Sequence, residues 1–168
     1  MSSSPFLGKY RATVHDNFDP NGLGRIRAIV PAVTGPNHPS SWALPCLLAA
    51  GSNMGLFTVP QIGAGVWIEY ESGDPDYPIW VGGYWTLGET PDLVPVAAPP
   101  SAAMTLQSPN GNGIVISDAP GEGILIQGPG GAKISITNQG ITIDNGQGAV
   151  ITLNHNTVSL NGSALTVT

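Results

Sequence analysis

The sequence predicts an all-β fold, and three observations support that prediction. The 168 residues include 23 Gly and 16 Pro, about twice the usual share of each, and both residues interrupt helices. No segment shows the apolar period of an amphipathic helix. Short stretches in which apolar and polar residues alternate recur along the whole chain, as they do in strands with one buried face.

The first 90 residues contain five segments with strand character and predict a small closed barrel of the OB type. The turn residues DPNG at 19–22 predict a hairpin between the first two strands. Pro45 indicates an edge or a bulge in the third strand, and the stretch 52–64 is expected to be a connection. The five segments are 8–18, 23–31, 41–50, 65–71 and 77–85.

Two of these strands show clear alternation. Ile26, Ala28 and Val30 alternate with Arg25, Arg27 and Ile29 in the second strand, and Val66, Ile68 and Tyr70 share one face of the fourth. Cys46 lies in the apolar run ALPCLLAA and is expected to be a buried, unreactive thiol rather than a nucleophile. Because it is the single cysteine of the chain, an intrachain disulfide is excluded.

Residues 91–103 contain four prolines and predict a semi-rigid linker with an extended backbone. Residues 104–168 then contain eight apolar–x–apolar units, whose starts are separated by 10, 10, 10, 7, 10, 7 and 7 residues. A strand of this kind cannot bury its apolar face alone, so the units must stack as a solenoid or intertwine with other chains. The units begin at Met104, Ile114, Ile124, Ile134, Ile141, Ile151, Val158 and Leu165.

Three chains around one triangular core would bury two inward side chains per strand more easily than one chain would. We therefore favour a triple-stranded intertwined β-helix, or β-prism, over a monomeric solenoid. Eight strands at about 4.8 Å each give a needle roughly 40 Å long. The predicted core residues of the needle are Ile114, Ile116, Ile124, Ile126, Ile134, Ile136, Ile141, Ile143, Ile151 and Leu153.

A series of motifs suggests a family. In chain order its residues are Asp19, Pro20, Gly24, Arg25, Trp42, Pro60, Gly63, Val66, Tyr70, Gly73, Asp74, Pro75 and Pro78. Their order and spacing resemble the OB domain of contractile-injection spike proteins, a group that includes VgrG proteins, phage baseplate assembly protein V and the central spike of myophages. The stretch 106–126 resembles the family's entry into its triple-stranded β-helix, so the resemblance covers nearly the whole chain.

The resemblance implies a non-enzymatic homotrimer that joins the baseplate hub and inner-tube proteins to the tip and punctures the target envelope on sheath contraction. It also implies a separate PAAR-like protein on the C-terminal end, with Leu165, Val167 and Thr168 as the expected contact residues. A short linker stands where some myophage spikes carry a lysozyme domain, and few residues stand where VgrG proteins carry a hub region. We therefore expect a short form of the family.

The stretch ESGDPD at 71–76 concentrates acidic residues. Glu69 and Glu71 alternate onto one predicted strand face and could be spaced like a glycosidase pair. Gly, Asp and Pro in this order are also typical of a turn, and we favour the turn over a catalytic or cation-binding site. His15, His38 and His155 lack metal-ligand spacing, and His155 is expected to face solvent, so no metal or cofactor is predicted.

The net charge and the N-terminal sequence limit the classes of partner and the cellular location that we expect. The net charge of −6 argues against nucleic-acid binding, since a phosphate backbone would be repelled. The N-terminus lacks the apolar region of a signal peptide, so we expect synthesis in the bacterial cytoplasm, assembly into a virion or phage-tail-like particle and transient contact with the target membrane. The alternative is a trimeric receptor- or carbohydrate-binding fibre module, but residues 101–168 contain no Phe, Trp or Tyr on which a sugar could stack.

Overall fold

In the computed structural model, the chain divides into two compact units, Met1–Glu89 and Thr90–Thr168. Both units are built from strands, and helical structure is limited to two short 3₁₀ turns in the described residues. The predicted all-β fold is therefore confirmed. The structure describes residues 5–94, 103–162 and 164–167.

The first unit contains a five-stranded sheet that closes into a barrel. Its strands are β1 (Tyr10–Asp16), β2 (Arg27–Ile29), β3 (Leu44–Pro45), β6 (Gly65–Tyr70) and β7 (Pro78–Tyr84), and a separate hairpin is formed by β4 (Ala50–Gly51) and β5 (Met54–Gly55). The sheet order is β2-β1-β6-β7-β3, with β3 parallel to β7. Bridges from Ile26 to Ala43 and from Ile29 to Pro39 join the two edges. This is a closed Greek-key arrangement of five strands, as the OB type requires.

The barrel core confirms the predicted alternation. Ile26, Ala28 and Val30 point inward from the second strand segment, and Val66, Ile68 and Tyr70 point inward from β6. Full burial of an Ile or Val side chain contributes about 2 kcal/mol, so these strands supply much of the barrel's stability. The core is completed by Ala12, Val14, Ala43 and Trp80.

The third predicted strand is only partly correct. Regular pairing is limited to β3, and the chain after Pro45 leaves the barrel to form the β4–β5 hairpin instead of continuing to residue 50. Cys46 is exposed, so the prediction of a buried thiol was wrong. The reason is local. The Cys46 N–H donates to the Trp80 carbonyl at 2.9 Å, and at this point, where the chain leaves the barrel, the Cys46 side chain is on the solvent side.

The second unit is a single sheet of eight antiparallel strands in chain order, and it contains the other 3₁₀ turn, Pro129–Gly131. Each strand contains one of the eight predicted apolar–x–apolar units. Most neighbouring strands are joined by short turns, so the sheet is a meander. Its strands are β8 (Ala103–Gln107), β9 (Gly113–Ser117), β10 (Gly123–Gln127), β11 (Lys133–Thr137), β12 (Gly140–Asp144), β13 (Val150–Asn154), β14 (Thr157–Leu160) and β15 (Leu165–Val167).

The predicted linker, 91–103, falls largely on residues 95–102, which lie outside the described part of the chain. Within the described ranges, no helix has the length and apolar character needed to cross a membrane.

Candidate functional site on the C-terminal sheet and the barrel turns

One face of the C-terminal sheet carries two continuous rows of apolar side chains. Strands β8 to β14 pair in register, so each of these seven strands contributes one residue to each row. The first apolar row contains Met104, Ile116, Ile124, Ile136, Ile141, Leu153 and Val158, and the second contains Leu106, Ile114, Ile126, Ile134, Ile143, Ile151 and Leu160. All ten residues predicted for the needle core lie in these rows, on the same face.

Both apolar rows are open to solvent in the single chain. The exposed fraction is 43 % for Ile126 and 38 % for Ile124, while Ile134 and Ile141 are half-buried. Seven strands with two side chains across give an apolar face on the order of 300 Å². Continuous apolar patches of this extent are among the largest that monomers expose and are often functional, so the face is a candidate interaction surface.

The opposite face of the sheet is mainly polar, because the middle residue of each later strand is Ser or Thr. Ser135, Thr142, Thr152 and Ser159 occupy this position in β11 to β14 and are paired in register. One side of the sheet therefore suits water and the other suits an apolar partner, which is the alternation expected of a half-buried sheet.

On this otherwise polar face, the middle residues of β9 and β10 are apolar, namely Val115 and Leu125. Val115 of β9 is only 5 % exposed because the segment that precedes the sheet lies over it. The Leu93 N–H donates to Gln107 Oε1 at 2.8 Å, and a Cβ added to Gly113 would lie 2.8 Å from Leu93 Cδ1. A cavity of about 420 Å³ remains beside this contact, between Leu93 and Leu125. Leu93 thus holds the preceding segment against the first strands of the sheet, on the face opposite the two apolar rows.

In the barrel, the turn between β1 and β2 is organised by one carboxylate. Asp19 accepts backbone N–H bonds from Asn21, Leu23 and Arg25 at 3.0, 2.8 and 3.2 Å. It also accepts two bonds from the Arg25 guanidinium, at 3.0 Å from Nε and 2.6 Å from the terminal nitrogen. The Arg25 hydrogen bonds hold the pKa of Asp19 well below its usual value, and the same pairing raises the pKa of Arg25.

Two tryptophans connect this turn to the rest of the barrel. Trp80 Nε1 donates to the Gly24 carbonyl at 3.1 Å, and the Arg25 guanidinium lies 5.5 Å from the centre of the Trp42 ring. Gly24 has a φ of +74°, and a side chain there would meet Phe57 at 3.2 Å. The DP…GR motif therefore acts as a joint between the first turn, β7 and the segment that follows the hairpin.

The comparisons with known proteins agree with this geometry. A family model for the Type VI secretion system/phage-baseplate injector OB domain matches residues 10–85. A second model, for the phage baseplate V C-terminal trimerisation domain, matches residues 103–166. This chain belongs to the phage baseplate V family. No curated protein matches it at a significant level.

Membership of the phage baseplate V family confirms the resemblance and gives the open apolar face a context. The C-terminal sheet is the trimerisation domain, so the chain assembles as a homotrimer and its two apolar rows are available to that assembly. The family is structural, and a phage baseplate V protein is part of a baseplate spike, built into a virion or tail-like particle.

The acidic stretch of this baseplate V protein forms a turn. β6 ends at Tyr70, and Glu71–Gly73 is a 3₁₀ turn, so the expectation that Glu69 and Glu71 share a strand face was wrong. Asp74 Oδ1 accepts the Asp76 N–H at 3.0 Å, as Asp does in a self-capped turn. The Glu69 carboxylate pairs instead with Lys9. The carboxylates are thus used in turn geometry and surface pairing.

The histidines are dispersed. His15 lies on β1, His38 in a loop, and His155 in the two-residue loop between β13 and β14, where its φ is +50° and its side chain is exposed in the single chain. Among the described residues, no group of three or more His, Cys, Asp or Glu side chains is placed to hold a metal ion.

The residues predicted to contact a tip protein lie at the C-terminal end. Leu165 is 53 % exposed, Val167 belongs to β15 by its backbone, and Thr168 lies outside the described residues.

The sequence-based list of needle residues missed four members of the apolar rows. Met104, Leu106, Val158 and Leu160 occupy the same two registers as the ten predicted residues. Their signal was present, since each belongs to an apolar–x–apolar unit with the same spacing of two residues. The contact of Leu93 with the sheet had no such signal, because Leu93 lies in a proline-rich segment without periodicity.

Proposed function

We propose that this chain is the central spike of a contractile injection system, which joins the baseplate hub and inner tube to the tip and pierces the target envelope when the sheath contracts. In this proposal residues 1–90 form a collar domain, 91–103 a linker and 104–168 a needle. The spike carries no catalytic, cofactor or metal site. The observation that supports the proposal most directly is the pair of apolar rows left open over the C-terminal sheet.

The proposed needle is an intertwined trimer in which the apolar rows of three sheets face one another. Moving a side chain such as Ile126 from 43 % exposed to buried contributes roughly 1 kcal/mol. Repeated over two rows in three chains, this gain favours one continuous apolar core. The Ser and Thr residues of the opposite face would then form the outer surface, which suits a rod that crosses an envelope.

At the two ends of the spike, the proposal assigns different partners. The DP…GR turn (Asp19, Pro20, Gly24, Arg25) and the Gly73-Asp74-Pro75 turn shape the collar that meets the hub and inner tube. At the other end, a PAAR-like tip protein would sit on the last strand. The contact residues proposed there are Leu165, Val167 and Thr168.

The experiment compares Ile136→Asp with Thr152→Asp, which adds the same charge to the opposite face of the sheet. In the proposed needle, Ile136→Asp would bury the new carboxylates of all three chains together, and an unpaired buried charge costs several kcal/mol. We expect Ile136→Asp to be monomeric by light scattering and Thr152→Asp to remain trimeric. A trimeric Ile136→Asp variant, or monomeric wild-type protein, would count against the needle.

A further inference from the structure

The hairpin β4–β5 belongs to an apolar segment that projects from the barrel. Residues 47–57, called the apolar arm here, are anchored by Leu47, which packs against the barrel core, and turn back through Ser52 and Asn53, where Asn53 has a φ of +57°. The Leu56 N–H donates to the Ala49 carbonyl at 3.1 Å, which closes the arm. Its two strands form their own sheet and are not hydrogen-bonded to the five-stranded sheet of the barrel.

The apolar arm exposes large hydrophobic side chains. The exposed fraction is 93 % for Leu48, 66 % for Phe57 and 65 % for Met54. Single exposed apolar residues are common on protein surfaces, but three within ten residues on one projecting hairpin form a patch. A two-stranded hairpin by itself is marginally stable in water, so a surface that covered this arm would stabilise it.

The charge distribution indicates what that surface is. The chain has a net charge of −6, yet residues 39–68 contain no Asp, Glu, Lys, Arg or His. Copies of an acidic protein repel one another wherever their charged surfaces meet, so they approach most easily through a surface without charge. A charged partner of another kind would gain nothing from a 30-residue stretch that offers it no opposite charge.

The trimerisation domain supplies the second argument. Eighteen residues separate Tyr84, the end of β7, from Ala103, the start of β8, and a fully extended chain of that length spans at most about 65 Å. Three barrels tied to one trimeric sheet assembly are therefore held at an effective concentration of millimolar order. At that concentration, apolar arms that contact one another weakly would still be engaged.

We propose that the apolar arms of the three chains pack against one another around the three-fold axis of the homotrimer. The arm then gives the collar an interface of its own, separate from the apolar rows of the needle, and it holds the three barrels as one body. This inference rests on the trimeric assembly in the proposed function. The occupant of the arm's surface is the same segment of the two other copies.

Amide hydrogen exchange on the purified full chain tests the proposal, because no other protein is then present to cover the arm. We expect residues 47–57 to exchange at least tenfold more slowly in the wild-type trimer than in Leu48→Lys. Leu48 is almost fully exposed in the single chain, so the lysine can disturb the arm only through a neighbouring copy. Leu87→Lys is the matched control, because Leu87 is fully exposed and outside the arm, and it should leave the exchange of residues 47–57 unchanged.

Native mass is measured on each variant and separates the two proposals. A monomeric wild-type protein would overturn the needle and with it the arm contact. A trimer in which residues 47–57 exchange at the rate of an unfolded chain would overturn the arm contact alone. The arm contact alone would also be overturned if Leu48→Lys formed a trimer in which residues 47–57 exchanged as slowly as in the wild type.

Discussion

The carboxylate of Asp19 and the guanidinium of Arg25 form a two-bond ion pair, with nitrogen–oxygen distances of 3.0 and 2.6 Å. Their side chains are only 3 % and 17 % exposed, although the turn that carries them lies at the edge of the barrel. The same carboxylate also accepts the backbone N–H groups of Asn21 and Leu23. Asp19 therefore determines both the shape of the turn and the position of Arg25 next to the Trp42 ring.

Asp19→Asn should destabilise the barrel at neutral pH. The amide keeps the size of the side chain but loses the charge, one acceptor oxygen and the ion pair with Arg25, whose guanidinium is then left without its partner. We expect a lower midpoint of chemical unfolding. Asp76→Asn is the control, since it removes the same charge from an exposed side chain in the other turn, and it should change the midpoint little.

The effect of Asp19→Asn should also depend on pH. The pKa of Asp19 is lowered in the folded protein, while in the unfolded chain it is about 3.9. The ion pair therefore stabilises the protein fully above pH ~4, and this contribution is lost as the pH falls towards the folded pKa. Unfolding midpoints of wild type and variant should converge between about pH 5 and pH 2, and a constant gap over that range would contradict this assignment.

Gly73→Ala should destabilise the acidic turn for two reasons that a second variant separates. Gly73 has a φ of +78°, and an added Cβ would lie 2.6 Å from Pro5 Cβ. Gly63 has a φ of +89° but nothing within 4 Å of that position. Gly63→Ala should therefore cost only the left-handed backbone, about 1–2 kcal/mol, and Gly73→Ala should cost more. Equal losses in the free energy of unfolding would show that the N-terminal segment simply moves away.

The parts of the fold that sequence predicted well are those fixed by local periodicity. Val66, Ile68 and Tyr70 alternate with polar residues, and all three are in the core. The residues of the two apolar rows follow the same rule, because the spacing within each apolar–x–apolar unit places both members on one face of a strand. Antiparallel pairing by short turns then aligns the units of successive strands into continuous rows.

The parts that sequence missed depend on where the chain leaves the barrel. Leu47 and Leu48 are adjacent in an apolar run, and nothing local indicates that Leu47 packs against the core while Leu48 is exposed. The run therefore predicts a strand that extends to residue 50, with the Cys46 thiol buried. A hairpin that is stabilised by other copies has the composition of a core strand, and only the three-dimensional path of the chain distinguishes the two.

Tyr70→Phe should be neutral or stabilising, although Tyr70 is buried. Its hydroxyl group has no hydrogen-bond partner among the described residues, so the phenol loses its contacts with water on folding and regains none. Removing such a group changes the free energy of unfolding by less than about 1 kcal/mol or raises it. Trp80→Phe is the contrast, since it leaves the Gly24 carbonyl without its donor and should cost about 1–3 kcal/mol.

Tyr70 also predicts behaviour at high pH. Burial, with a smaller effect of Tyr10, raises its pKa to about 12 in the folded chain, against about 10 in the unfolded chain. The wild type therefore keeps this contribution to stability below about pH 10 and loses it as the pH rises towards the folded pKa. The advantage of Tyr70→Phe over wild type should grow between about pH 9 and pH 11 in unfolding experiments, and an advantage that shrinks would refute the assignment.

Gly140→Ala should weaken the trimer by separating two strands of the apolar rows. Gly140 begins β12 with a φ of +147°, and an added Cβ would lie 2.1 Å from the carbonyl oxygen of Leu153 on β13. Because Leu153 belongs to the first apolar row, any shift that relieves this clash moves a residue of that row, and we expect the trimer to lose about 2 kcal/mol or more of stability. Gly148 has a φ of +99° with nothing within 4 Å, so Gly148→Ala should cost only about 1–2 kcal/mol. Thermal dissociation followed by light scattering compares the two variants. If the Gly140→Ala trimer were as stable as the Gly148→Ala trimer, β13 could shift away from β12 without weakening the trimer, and the prediction would be wrong.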